Sequence, residues 1–98
     1  MERKQIPAHL QGLLWSKNIE TIDLEQDKIY IIHQVLGFGD LSDIEWLLET
    51  YGKEEVARVF QESPKKLYQP SVFYFVKDIL LDMKEKDLDL KGYAKISP

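Results

Sequence analysis

The sequence predicts an all-α fold, a compact array of about five short helices followed by a charged C-terminal tail. Apolar residues recur at helical spacing in five stretches, and proline, glycine and capping aspartates punctuate the gaps between them. The chain has 98 residues and is 44% hydrophobic, with two Trp, four Phe and five Tyr, enough large apolar surface for one core without a metal or disulfide staple.

Pro7 opens the first helix, since its missing N–H would be an orphan in a first turn anyway, and Leu10, Leu13 and Leu14 share one face before an end near Trp15 or Ser16. Asp23 caps the second helix, and Gln26 stands at the capping-box spacing. Leu24, Ile29, Ile31, Ile32, Val35, Leu36 and Phe38 cover about half its circumference. An arc that wide predicts the central helix, touching two or more others. Gly37 and Gly39 are expected to stop it in left-handed conformations.

Asp40 caps a third helix, with Leu41, Ile44, Leu47, Leu48 and Tyr51 as a narrow stripe and Gly52 as its end. Residues 53–63 form a fourth, with Val56, Val59 and Phe60 inward, closed by Pro64. Pro70 begins the fifth, whose expected buried face is Val72, Phe73, Val76, Ile79, Leu80 and Met83. Residues 30–35 and 71–76 are rich enough in β-branched and aromatic side chains to suggest strands, but their caps and lengths favour helix. The reading divides the chain into one domain, residues 1–84, and a charged tail, residues 85–98, that is extended, frayed or ordered only against a partner.

Function classes are bounded next. Without cysteine, thiolate catalysis, thiol zinc sites and disulfides are removed together, and the cytosol is the simplest compartment. Residues 1–5 carry no apolar signal core, and no run of about 18 apolar residues occurs, so neither that route of secretion nor a membrane span is expected. The two histidines, His9 and His33, lack a ligand-like partner nearby, and His33 at the edge of the apolar arc reads as a hydrogen-bonded structural histidine. The carboxylate pairs Asp40 with Asp43, Glu54 with Glu55 and Asp87 with Asp89 match no metal spacing, and residues 37–40 lack the third glycine of a nucleotide loop. No serine sits in a nucleophile elbow. The expectation is a non-enzyme with no cofactor and no metal.

The net charge of −4 is unevenly spread: residues 40–62 carry −5, from two basic and seven acidic side chains, whereas residues 63–98 carry +2, from seven basic and five acidic. The third and fourth helices have the outline of a helix-turn-helix, but Glu54, Glu55 and Glu62 on the second of them would repel phosphate. Aromatics off the buried stripes carry the most information. Trp46 projects away from its helix's main stripe, and Tyr74 and Leu81 are expected to share the side opposite Val72, Val76 and Met83, where they would anchor a protein interface.

Trp15, Asp27, the Ile31-Ile32 and Val35-Leu36 pairs, Gly39-Asp40, Trp46-Leu47 and Tyr51-Gly52 together resemble a small bacterial and archaeal domain of unknown function, of the type encoded beside AbiEii-type nucleotidyltransferase toxins. The likeness covers residues 6–81. It implies a candidate antitoxin or accessory subunit acting by protein binding, with such a toxin as the candidate partner. It does not imply nucleotide transfer, since the glycine-serine and paired-aspartate motif of that activity is missing.

Joined to the charge pattern, the resemblance leads to one expectation: the acidic third and fourth helices dock on a basic partner protein, with Asp43, Glu49, Glu54 and Glu55 steering and Trp46 as the buried anchor. The competing expectation is a regulator that binds nucleic acid through the lysines of the last third, dimeric through Tyr74 and Leu81. A structural homo-oligomer is the third.

Overall fold

Ile31, Ile32, His33, Gln34, Val35 and Leu36 are all buried, so the helix that carries them, α1 (Lys28–Phe38), is surrounded rather than one-sided. It is the axis of the fold. The computed structural model describes residues 6–94. Helices α2 (Leu41–Tyr51) and α3 (Lys53–Glu62) pack on α1 and on each other, as the broad apolar arc of α1 predicts. They are joined by Gly52 at φ 87°, a left-handed conformation that glycine adopts without a Cβ penalty. A fourth helix, α4 (Pro70–Tyr74), starts at proline as expected and runs into a π-helical segment, Phe75–Leu80. Among the described residues there is no strand; Tyr68 and Ala94 form one isolated bridge, with the Tyr68 amide donating to the Tyr93 carbonyl at 2.9 Å. Both stretches with a strand-like composition are helical.

The first expected helix is instead a 3-10 turn, Ala8–Gly12, from which Leu10 reaches the core together with the following Leu14. The second starts at Lys28, later than Asp23 implies. Asp23 does accept from the amides of Glu25 and Gln26, at 2.8 Å each, but its own amide donates to the Asp27 carboxylate at 2.9 Å. These side chains close a local turn that competes with helix, and the regular ladder begins beyond it. Gly37 and Gly39 are not left-handed. Gly37 lies within α1, and Gly39 sits at φ −79°. Glycine at 39 serves close approach: a Cβ there would lie 2.7 Å from the Val35 carbonyl oxygen and 2.9 Å from the Asp43 Cβ.

The largest departure is in the last helix. In the π segment the Leu81 amide donates to the Val76 carbonyl, five residues back, at 2.8 Å. Asp82 follows at φ 53°, and the Met83 amide reaches back to Lys77 at 2.7 Å. The wider turn rotates everything after Phe75 relative to an α-helical wheel. Leu81 enters the core at 4% exposure, while Ile79, expected inside, is 68% exposed.

Two carbonyls at the C-terminal end of α3, those of Phe60 and the cap residue Ser63, are satisfied by distant side chains. The Tyr93 hydroxyl donates to the Phe60 carbonyl at 2.7 Å, and His33 Nε2 bonds the Ser63 carbonyl at 2.6 Å. Because a carbonyl only accepts, Nε2 carries the proton, so Nδ1 accepts from the Tyr68 hydroxyl, 2.7 Å away. His33 is thus the hydrogen-bonded structural histidine its position suggested. Tyr93 also corrects the expected tail: it is buried, and Leu90–Gly92 forms a 3-10 turn, because the chain folds back to place this ring among Phe60, Phe73 and Tyr68. Residues 1–5 and 95–98, the rest of the expected tail, lie outside the described residues. Among the described residues no helix is long and apolar enough to cross a membrane.

Candidate protein-binding face

The face expected to bind a partner is built on α2 and α3, and the N-terminus of α2 is its best-defined corner. Asp40 Oδ1 accepts from the Asp43 amide at 2.9 Å and the Ser42 hydroxyl at 2.8 Å, while Asp43 Oδ2 accepts from the Asp40 amide at 3.1 Å. This reciprocal capping box holds the Asp40 carboxyl below its ordinary range, chiefly through the Asp43 amide and then the Ser42 hydroxyl. The other Asp43 oxygen meets His9 Nε2 at 2.8 Å and so ties the first turn of the chain to α2. Asp43 is buried. Its carboxylate is engaged internally and organises the corner from beneath. Replacing Asp43 by alanine is expected to destabilise the fold by about 1–2 kcal/mol, from loss of the box and the His9 contact together. A urea titration showing no change would mean that neither interaction stabilises the chain.

Glu55 has a similar fate. Arg58 grips it with a two-pronged contact, Nε to Oε1 and a terminal nitrogen to Oε2, each 2.7 Å, and Lys28 at the start of α1 pairs with it as well. These hydrogen bonds, Arg58 first and then Lys28, pull its carboxyl down to about 2. Glu55 locks α3 to α1 rather than projecting a free charge. An open depression beside it is lined by Tyr51, Gly52, Lys53, Glu54, Glu55 and Arg58.

Glu49 and Glu54 are exposed, as is Glu45, which the sequence reading passed over. Trp46 is half-buried and packs against the core, so it is a supported ring rather than a free anchor. Tyr74 is 48% exposed, whereas Leu81 is not on a shared surface with it, since the π segment turns it inward.

Besides Ile79, three more residues expected on apolar faces lie outside; Ile29, from the arc of α1, is 40% exposed. Leu41, at the edge of the α2 stripe, is 72% exposed, and Phe38, at the last turn of α1, is 53% exposed. With Glu45 and Glu49 one and two turns on, Leu41 heads a single outward ridge of α2. A wheel does not register this, because it cannot tell which edge of a stripe runs past its neighbour. Among the described residues no group of three His, Cys, Asp or Glu side chains could hold a metal ion.

The Family of unknown function (DUF6922) matches residues 10–60. The chain belongs to that family. The DUF6922 match takes in α1, α2, the α2–α3 turn and most of α3, and therefore the whole Leu41, Glu45, Glu49 ridge. It ends before α4 and the π segment, whereas the resemblance read from the sequence extended to residue 81. No curated protein and no solved structure matches the chain.

Proposed function

We propose that this chain is a non-catalytic protein-binding module that masks a basic partner protein through the outward ridge of α2. The observation that carries the reading is the combination of a bare apolar side chain, Leu41, with the acidic Glu45 and Glu49 in one row. A row that is apolar at one end and acidic along its length suits a partner segment that is itself apolar and basic, with the charges setting approach and register and the apolar contact slowing release. Glu54 extends the negative field, while Asp43 and Glu55 hold the helices that present it. The resemblance supplies the candidate setting, an antitoxin or accessory subunit whose partner is a nucleotidyltransferase-type toxin acting in the cytoplasm.

The test is tandem-affinity purification of the tagged chain co-expressed with its gene neighbours, followed by titration of the captured partner. Wild type is expected to retain a basic protein stoichiometrically, and the triple variant L41D/E45K/E49K to bind at least about tenfold more weakly. Equal capture by wild type and variant, or retention of nucleic acid with no protein, would overturn the reading.

A further inference from the structure

The chain from Lys84 to Ala94 returns to the end of α3, yet no residue from 84 to 92 is buried: its six charged side chains are exposed, and Leu88, Leu90 and Gly92 are half-buried. Most of its hydrogen bonds are local. The Gly92 amide donates to the Asp89 carbonyl at 3.0 Å, and the amides of Tyr93 and Ala94 donate to the Leu90 carbonyl at 2.9 and 2.8 Å. Among the described residues no ion pair joins this stretch to the helices. It is fastened at its two ends. At the near end the buried Lys77 ammonium donates to the Lys84 carbonyl at 3.3 Å. At the far end one residue does the holding: the Tyr93 hydroxyl donates to the Phe60 carbonyl at 2.7 Å, and the Tyr93 carbonyl accepts from the Tyr68 amide at 2.9 Å. The Tyr93 ring is buried, with centroids 4.7 Å from Phe60 and 4.9 Å from Phe73.

We propose that residues 84–94 are a strap latched by Tyr93, which opens as a unit while the helices stay folded and so uncovers an aromatic slot between α3 and α4. Ordering the strap costs backbone entropy at every residue, whereas the burial gained in return is concentrated at its far end. A stretch with exposed local hydrogen bonds and few buried apolar contacts belongs to the low-stability end of a fold and opens ahead of it. The ladders of α1, α2 and α3 form without the strap, and those helices pack on one another. Release at the far end is enough. It bares the rings of Phe60, Tyr68 and Phe73 and leaves one acceptor, the Phe60 carbonyl, and one donor, the Tyr68 amide, without their partner. The strap shares no residue with Leu41, Glu45 and Glu49, so it stands or falls separately from the α2 ridge.

Native-state hydrogen exchange of the full chain, followed by NMR in urea below the unfolding midpoint, tests the proposal. The Tyr68 amide is the decisive reporter, since it lies outside the strap but its acceptor is on it. Corrected for intrinsic rates, it is expected to exchange together with the amides of Gly92, Tyr93 and Ala94, at least about a hundredfold faster than the slowest amides of α1–α3 and with a smaller urea dependence. Y93A is expected to populate the open form outright: the helical circular dichroism and the dispersed resonances of α1–α3 persist, while residues 84–94 move to random-coil shifts. Exchange of the Tyr68 amide at the rate and urea dependence of the slowest helical amides would show that strap and helices unfold as one, and would overturn the proposal. So would a Y93A chain that loses its helical spectrum, because the helices would then need the latch, or one whose residues 84–94 keep their native shifts, because Tyr93 would then not be what holds them.

Discussion

An alanine at position 60 is expected to lower the unfolding free energy by about 3–5 kcal/mol, the range for removing a fully buried phenylalanine side chain. Phe60 is wholly inaccessible and stands at the hub of the aromatic cluster, with ring centroids 4.7 Å from Tyr93, 5.5 Å from Tyr68, 6.0 Å from Phe73 and 6.3 Å from His33. Those neighbours come from α1, α4 and two loops, and Tyr93 is further held by its bond to the Phe60 carbonyl. The cavity cannot collapse without breaking hydrogen bonds. Against a typical stability of about 5–15 kcal/mol, the loss is a large share of the whole. In a urea titration the midpoint should fall by about 1–3 M at an ordinary slope for a small protein. A change below about 1 kcal/mol would mean that the neighbouring rings refill the space and that the cluster is not rigidly placed.

The same cluster explains why part of this fold is legible in the sequence and part is not. α2 and α3 could be read almost to the residue, because Asp40, Gly52 and the apolar spacing between them are local signals that agree with the tertiary outcome. The central role of α1 followed from the width of its apolar arc, although its start did not, since Asp23 and Asp27 make their own turn ahead of it. The last helix was misread for a different reason. A fixed helical period was carried through Phe75–Leu80, and a π turn leaves no clear mark in composition, so Leu81 and Ile79 exchanged places. Tyr93 was beyond reach, because a single aromatic among charged residues acquires its partners only when the chain returns to Phe60.

The candidate site divides along the same line. Which residues are acidic, and that they crowd into residues 40–62, is a property of the sequence; which of them face a partner is not. Asp43 and Glu55 stand among the same charges as Glu45 and Glu54, yet one is taken by a capping box and His9 and the other by Arg58 and Lys28. Asp43 and Glu55 are thus turned to holding the helices together, while Glu45, Glu49 and Glu54 are exposed. Leu41 gains its importance from its place on the helix, since it is the exposed apolar residue at the head of the row that continues with Glu45 and Glu49.

Mild acid is expected to destabilise the fold before the carboxylates begin to protonate, and His33 is the cause. Burial, reinforced by the positive charge of Lys65 and opposed by the bond to the Ser63 carbonyl, brings its imidazole from 6.5 down to about 4. Nδ1 accepts the Tyr68 hydroxyl in the neutral ring, so a proton there would break that bond and place a charge in the aromatic core. A base with a depressed folded pKa takes up its proton first in the unfolded chain, so stability is full above about 6.5, falls with decreasing pH, and levels off below about 4. Across that window the loss reaches about 3 kcal/mol at one proton per molecule. Carboxylates act in a lower window and with the opposite origin. Glu55 at about 2, with Asp27 and Asp40 also lowered, adds stability above the ordinary carboxylate range that is lost as pH falls through the folded values. Urea titrations at half-unit steps from pH 7.5 to 4, run on wild type and His33→Gln, separate the two. Glutamine can still donate to Ser63 and accept from Tyr68 but does not titrate, so the slope between pH 6.5 and 4.5 should largely vanish in the variant, whatever its absolute stability. An equal slope in both proteins would place the titrating group elsewhere and remove His33 from the account.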